Sequence, residues 1–323
     1  MKELLLSIVV PMYFEEEVAR ECYNRLKAVM NQQKYNYELI FVNDGSTDRT
    51  LEILTEIADR DKQVKIIDFA RNFGHQVAVT AGVDYAKGDA IIIIDADLQD
   101  PPEVIPELVN KWLEGFDVVY AKRKKRKGET WFKLATAKYF YKFLDYMSDI
   151  YIPKDTGDFR LIDKKVADVF RQMSERNRFV RGMISWVGFR QTYVEYERDE
   201  RFAGESKYPL RKMVKFATDG IIAFSTKPLR LVMSMGFISV LISIIVLLYA
   251  FIVRLFGQQV EPGWASIMVA ITFFSGIQLL GLGIVGQYIG RIYEESKNRP
   301  IYVVKDTINV EVKDIRQMEM AKK

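Results

Sequence analysis

Up to about residue 226 the chain alternates short apolar runs with amphipathic stretches, and each run predicts an element. Residues 4–10 are apolar apart from Ser7, and they stop at Pro11 and the acids Glu15, Glu16 and Glu17. That run predicts a first strand and is too short for a signal peptide. Residues 15–33 place Val18, Cys22, Leu26 and Val29 at helical spacing. Residues 38–42 predict a second strand, ending in Asn43-Asp-Gly-Ser-Thr-Asp48. A helix follows with Leu51, Leu54 and Ile57 on one face, capped by Ser46, Thr47 or Asp48. Residues 64–69 predict a third strand, residues 77–85 lie on a helix, and residues 91–94 predict a fourth strand. Strands alternating with helices imply a mostly parallel sheet covered on both faces, an α/β fold.

Beyond Tyr120 the pattern changes. A basic run, Lys122-Arg-Lys-Lys-Arg-Lys127, precedes residues 131–147, where Trp131, Leu134, Tyr139, Phe143 and Met147 stand among lysines. A basic, aromatic amphipathic helix of this kind lies on an anionic membrane surface, and residues 207–224 predict another. Residues 229–256 and 264–289 are almost wholly apolar. Each is long enough to cross about 30 Å of hydrocarbon as a helix, and the short link at 257–263 makes them a transmembrane hairpin. Lys227 and Arg230 on one flank, with Arg291, Lys297 and Arg299 on the other, place both outer ends in the cytosol. Arg254, near the far side, is expected to snorkel. The expected organisation is a cytosolic domain at 1–226, a spanning pair at 227–290, and a cytosolic strand and tail at 291–323, in a cytoplasmic membrane.

Gly281-Leu-Gly-Ile-Val-Gly286 matches a dinucleotide-binding pattern by letter. That pattern requires a strand before it and a helix after it, so close helix packing explains these glycines better. Residues 300–305 predict a short strand, which needs an edge to pair with. Together with Gly276, Gly281, Gly283, Gly286 and Gly290, it points to a homo-oligomer, a tetramer among the options.

Composition narrows the chemistry. In 323 residues there is one cysteine, Cys22, on an apolar helix face, so no disulfide framework exists and a reduced compartment fits. The single histidine, His75, removes histidine-rich metal sites. A net charge of +4 is too small to argue for nucleic acid.

The candidate site stands out against this background. The apolar run from Ala90 ends in Asp95-Ala-Asp-Leu-Gln-Asp100. Residues two apart in a strand share a face, so Asp95 and Asp97 can converge on one ligand. Carboxylates there must meet water or a cation, and hard oxygen donors suit Mg²⁺ or Mn²⁺ carried with a diphosphate. The other unusual residues, at 11–15, Asp44 and 71–75, also fall where ligands gather, beyond the carboxyl ends of parallel strands.

Six ordered stretches carry a family resemblance: Ser7 to Tyr13, Val42 to Asp48, Asn72 to Gln76, Asp95 to Pro101, Thr156 to Leu161 and Arg201 to Tyr208. Together they resemble glycosyltransferase family 2, and within it the polyprenyl-phosphate glycosyltransferases. The resemblance implies a GT-A, Rossmann-like domain followed by the hairpin. It also implies inverting transfer of one sugar, glucose from UDP-glucose as first choice, to undecaprenyl phosphate at the cytoplasmic leaflet. N-acetylglucosamine, mannose or a modified arabinose remain alternatives. By the same resemblance Pro11, Tyr13 and Glu15 line the nucleoside pocket, Asp44 accepts from the base, and Asp95 lies near the ribose and diphosphate. Asp97 and Gln99 hold the metal, while Arg123, Arg201, Ser206 and Lys207 contact phosphates of donor or acceptor. Asp158 is the implied catalytic residue, as general base or as a group that orients the acceptor, with a helix cap as its structural alternative. Phe14 departs from the pattern, which usually has Asn there. A processive synthase shares the Asp-x-Asp but calls for a Gln-x-x-Arg-Trp motif and more spans; Arg181-Gly-Met-Ile-Ser-Trp186 does not supply that motif.

Overall fold

The computed structural model describes residues 4–124, 156–197, 225–255 and 263–310. These fall into two compact units, one carrying the sheet and the segment from Arg299 onward, the other the two long helices.

The sheet unit begins β1 (Leu5–Met12), α1 (Ala19–Asn31), β2 (Asn36–Asn43), α2 (Thr50–Arg60), β3 (Val64–Phe69), α3 (His75–Tyr85) and β4 (Ala90–Ile93). After a single 3-10 turn come α4 (Ile105–Leu113), β5 (Val118–Arg123), β6 (Thr156–Asp163), α5 (Lys164–Gln172), α6 (Val180–Trp186) and β7 (Gln191–Tyr196). Its last element is β8 (Val304–Ile308). The eight strands form one sheet in the order β7-β5-β6-β4-β1-β2-β3-β8.

The half built from β3, β2, β1 and β4 is parallel, as the alternation of strands and helices predicts. The sheet as a whole is mixed rather than mostly parallel. β6 runs antiparallel to both β4 and β5, and β8 runs antiparallel to β3, while β7 is parallel to β5. Because β6 runs antiparallel to β4 with Ile93 facing Arg160, Asp158 is carried just past the end of β4. Thr156, Gly157 and Asp158 therefore open a strand, and the helix-cap alternative falls.

Strand β4 is apolar and buried throughout, and β1 is apolar apart from Ser7 and buried beyond Leu5, which lets helices cover both faces. Gly82 lies over β1; a Cβ there would stand 2.1 Å from Val9 Cγ1, so only glycine lets α3 settle this deeply. Cys22 is fully buried among Leu26, Leu39 and Met30, the core role its spacing predicts. The first helix starts at Ala19 rather than Glu15, because the Glu15 carbonyl closes a turn onto the N–H groups of Val18 and Ala19.

The strand expected at 300–305 forms later, at Val304–Ile308, and pairs with β3 of its own chain. Residues ahead of it are held differently: the Tyr302 ring stacks on Phe69 and its hydroxyl donates to Asp84.

The second unit holds α7 (Lys227–Leu255) and α8 (Trp264–Ser296). Both are long and apolar enough to cross a membrane, and their apolar side chains face outward, Ile245 at 65% and Leu280 at 71% exposure. Surface of that kind and extent is at home in lipid rather than water. The helices touch where a Cβ on Gly281 would stand 2.9 Å from Val232, while a Cβ on Gly276, Gly283, Gly286 or Gly290 would meet nothing within 4 Å. The two expected interfacial helices, at 131–147 and 207–224, lie outside the described residues, as do Arg201, Ser206 and Lys207.

Candidate functional site

The carboxyl ends of β1, β2 and β4 open onto one cleft of about 220 Å³. β1 delivers Pro11, Tyr13 and Glu15 to its wall, β2 delivers Asp44, and the turn after β4 delivers Asp95 and Asp97. Asn72, in the loop leading into α3, and His75, the first residue of that helix, close it. Parallel strands place these residues together, although the chain separates them by up to 86 positions.

Tyr13 is 45% and Phe14 is 49% exposed at the lip. Phe14 adopts φ +56°, and its N–H donates to Ser46 Oγ at 3.1 Å. A left-handed backbone suits Asn far better than a bulky ring. The departure from the family pattern at this position is thus a strained one.

Asp44 is buried, and loop 71–74 uses both its oxygens. Phe73 N–H donates to Oδ1 at 2.6 Å; Gly74 N–H and Asn72 Nδ2 donate to Oδ2, each at 2.9 Å. Burial raises the Asp44 carboxyl, and the two backbone donors only partly offset that rise. Next to it Gly45 has φ +68°, and a Cβ there would stand 2.4 Å from the Arg71 carbonyl carbon. The close approach of two backbone segments requires glycine at this position. In this geometry Asp44 organises the loop that walls the cleft.

Asp158, on β6, is a heavily paired carboxylate. Arg181 Nε donates to Oδ1 at 2.7 Å, and Gln76 Nε2 to Oδ2 at 3.2 Å. His75 Nε2 lies 3.1 Å from Oδ2, and Arg160 Nη2 lies 3.7 Å from Oδ1. Burial alone would raise this carboxyl, but His75 and Arg181 outweigh it and hold Asp158 well below the usual carboxylate range. The converse holds for His75: burial would lower the imidazole, while Asp95 and Asp158 push it up to about 9. A carboxylate so depressed grips cations firmly and takes up protons poorly.

Arg160 sits fully buried beneath, over the Tyr120 ring at 5.2 Å, and donates from Nη2 to the Gly157 carbonyl at 2.8 Å. Burial lowers its guanidinium, with Asp158 and Tyr120 opposing. Its place inside an apolar strand, Phe159-Arg-Leu161, is a sequence signal that the group serves a buried anion. Arg181 carried no such signal; only the approach of α6 to β6 gives it its partner.

Three ligating atoms, from His75, Asp95 and Asp158, lie within 4.8 Å of one another, close enough to share one cation. Asp95 Oδ1 is buried with no hydrogen-bond partner, 3.5 Å from His75 Nε2. Burial pushes the Asp95 carboxyl up to about 6; His75 opposes the rise, and Asp158, Asp100 and Asp97 add to it. An unsatisfied buried carboxylate oxygen with a second carboxylate, Asp97, on the same cleft fits a hard divalent cation. Gln99 is buried, and its N–H donates to Asp97 Oδ1 at 3.1 Å, which ties the two expected metal ligands into one turn.

Arg123, expected at a phosphate, is engaged inside the protein. Its Nη2 lies 3.2 and 3.3 Å from the two oxygens of fully buried Asp100, and its Nε lies 3.2 Å from the Tyr196 hydroxyl, which also donates to Asp100. Gly157 leaves room for it: a Cβ there would stand 2.7 Å from Arg123 Nη2. This trio joins the ends of β5 and β7 to the turn after β4, a role for Asp100 and Tyr196 that sequence reasoning missed.

The profile of Glycosyl transferase family 2 matches residues 7–170. A relative from Bacillus subtilis (strain 168), Uncharacterized glycosyltransferase YkcC, is 58% identical over 97% of this chain and 97% of its own. The Bactoprenol glucosyl transferase of Shigella phage SfV is 43% identical over 93% of this chain and 98% of its own. The Prophage bactoprenol glucosyl transferase homolog of Escherichia coli (strain K12) is 42% identical with the same shares covered. Among solved structures, mannosyl-3-phosphoglycerate synthase from Rubrobacter xylanophilus overlaps with a TM-score of 0.48 at 16% identity, covering 80% of this chain and 78% of that one. With a Rossmann-like α/β sheet of GT-A type, acids clustered at its strand ends and relatives alike from end to end, the chain belongs to glycosyl transferase family 2 and is a glycosyltransferase.

Proposed function

We propose that this enzyme transfers one glucosyl unit from UDP-glucose to undecaprenyl phosphate at the cytoplasmic face of a membrane. The observation that carries this reading is the likeness to the bactoprenol glucosyl transferases, 43% over 93% of the chain, which includes the two apolar helices. An acceptor with a long polyprenyl tail presents its phosphate only at a bilayer surface, so a membrane-anchored cleft suits it.

In this reading Pro11, Tyr13 and Glu15 line the nucleoside, Asp44 keeps loop 71–74 against it, and Asp95 faces the ribose and diphosphate. Asp97 and Gln99 hold Mg²⁺ or Mn²⁺, with Asp95 beside them. A divalent cation there stabilises the negative charge that develops on the leaving diphosphate. An oxygen of the acceptor phosphate attacks the anomeric carbon from the face opposite the diphosphate. The new bond is C1–O–P, the C1–O bond to the diphosphate breaks, UDP leaves, and the configuration inverts. A phosphate monoester is already largely dianionic near neutral pH, since its second pKa is about 6, so the nucleophile needs no base. Asp158 fits the task of fixing His75 and Arg181 at the reacting end of the cleft. Arg201, Ser206 and Lys207 remain the phosphate contacts that the family resemblance implies. The basic flanks of α7 and α8 support cytosolic ends, and the uncovered glycines Gly283, Gly286 and Gly290 support a homo-oligomer.

The test is transfer of labelled sugar into solvent-extractable lipid, using the full-length protein in membranes with undecaprenyl phosphate and a panel of nucleotide sugars. Transfer from UDP-glucose above all others is expected. Preference for UDP-N-acetylglucosamine, a mannose donor or a modified arabinose donor would overturn the sugar assignment, and label appearing in polymer would favour a processive synthase.

A further inference from the structure

After α8 the chain returns to the sheet unit and is fixed there at two points. At its start the Tyr302 ring stacks on Phe69, with centroids 5.2 Å apart and planes 17° apart, and its hydroxyl donates to Asp84 Oδ2 at 2.8 Å. At its end Asn309 Nδ2 donates to the carbonyls of Ala58 and Val64, at 2.8 and 2.9 Å. Between them β8 pairs along β3, and Ala70 N–H donates to the Val303 carbonyl at 3.0 Å. An edge strand could be covered without a stacked, hydrogen-bonded tyrosine, so Tyr302 calls for its own explanation.

Its contacts lead to the cleft by two routes. Phe69 meets Phe73 edge-on at 5.6 Å, and the Phe73 N–H holds Asp44 Oδ1 at 2.6 Å. The loop around Asp44 is therefore backed by the Phe69 ring, which is itself backed by Tyr302. The second route runs through Asp84, on the helix whose first residues are His75 and Gln76, the partners of Asp158. One side chain from the end of the chain thus supports both the loop and the helix that wall the cleft.

We propose that Tyr302 is a positioning residue for the nucleotide-binding end of the cleft, so that the segment following the membrane helices is part of the donor site's support. The proposal rests on the reading that this cleft binds a nucleoside diphosphate. A loop held in its bound shape loses less freedom on binding, so loosening it weakens affinity without touching the chemical step.

The experiment uses full-length protein in nanodiscs, with Tyr302→Phe, Tyr302→Leu and wild type compared. UDP binding is measured by calorimetry with Mn²⁺ present, donor and acceptor KM are measured separately, and the unfolding midpoint is recorded for each protein. Tyr302→Leu is expected to weaken UDP binding and raise donor KM together, by about 3-fold to 10-fold, the range one aromatic contact carries. Acceptor KM and kcat should stay near wild type. Tyr302→Phe keeps the stack and should recover most of the affinity. A variant that folds with unchanged UDP affinity and donor KM overturns the proposal, as does a fall in kcat with both KM values unmoved. Wild-type protein that binds no nucleoside diphosphate overturns the reading of the cleft and the proposal with it, a result distinct from failure in the variants alone.

Discussion

Replacing Asp158 by Asn keeps the side chain's shape and removes its charge, which separates a base from an anchor. Three groups lie within hydrogen-bond distance of this buried carboxylate, Arg181 at 2.7 Å, His75 at 3.1 Å and Gln76 at 3.2 Å, and the Arg160 guanidinium stands at 3.7 Å. An amide offers one oxygen to this set and turns its NH₂ toward the remaining donors. Removing one partner of a buried ion pair costs about 3–5 kcal/mol. Arg181 is 30% exposed, so solvent screening brings the expected loss to about 2–4 kcal/mol. In a domain of this size that lowers the unfolding midpoint by about 5–15 °C.

The pH dependence has a definite sign. The folded carboxyl lies below its unfolded value of about 3.9, so its stabilisation is fully present above that value and is lost as pH falls through the folded one. The gap between wild type and variant should be widest between about pH 5 and 6.5. It closes in acid as Asp158 is protonated, and it narrows as pH rises from about 6.5 towards 9, because the His75 imidazole that Asp158 helps to hold charged loses its proton. Thermal unfolding in mild detergent, followed by tryptophan fluorescence, measures it. A double-mutant cycle with Arg181→Gln should give a coupling of about 1–3 kcal/mol. Should Asp158→Asn unfold within a degree or two of wild type while turnover falls by about 10²-fold or more, Asp158 is a base and the anchoring argument is wrong.

Removing divalent cations should abolish transfer, and Mg²⁺ or Mn²⁺ should restore it; Asp97→Ala should not be rescued, and full activity in excess chelator would contradict the metal assignment. Phe14→Asn relieves a left-handed phenylalanine and should raise stability by about 1 kcal/mol, so an unchanged or lowered unfolding midpoint would show that the ring's contacts outweigh the strain. Asp61 takes donations from Lys27, Tyr23 and the Gln63 N–H, and although burial raises its carboxyl, the Lys27 bond and the others bring it below the ordinary value. Asp61→Asn should therefore cost about 0.5–1 kcal/mol at pH 7, a loss that disappears as pH falls below about 4; a pH-independent loss would refute the ion pair. Gly286→Leu with Gly290→Leu should shift the solubilised protein toward monomer by light scattering, and a wild type already monomeric in nanodiscs would end the oligomer proposal.

The sequence by itself determined the local structure and the inventory of chemistry. Periodicity marked the early strands and helices, because a buried strand must be apolar and a surface helix amphipathic; the strand at Val64–Phe69 is where the pattern placed it. The long apolar runs declared two membrane-length helices for the same reason, and the acids at the end of an isoleucine strand marked the cleft they line. Tertiary structure decided what depends on partners distant in the chain. Periodicity carries no strand direction, so the reversal at β6, which sets Asp158 against His75 and Arg181, was not legible. Nor was the use of Arg123 and Asp44 as internal ties, since a charged side chain looks the same in sequence whether it awaits a ligand or already holds a neighbour. The returning strand shows both sides: β character was legible at residues 300–305, but its place at Val304–Ile308, the edge it pairs with, and the tyrosine ahead of it that lies behind the cleft exist only once the sheet has formed.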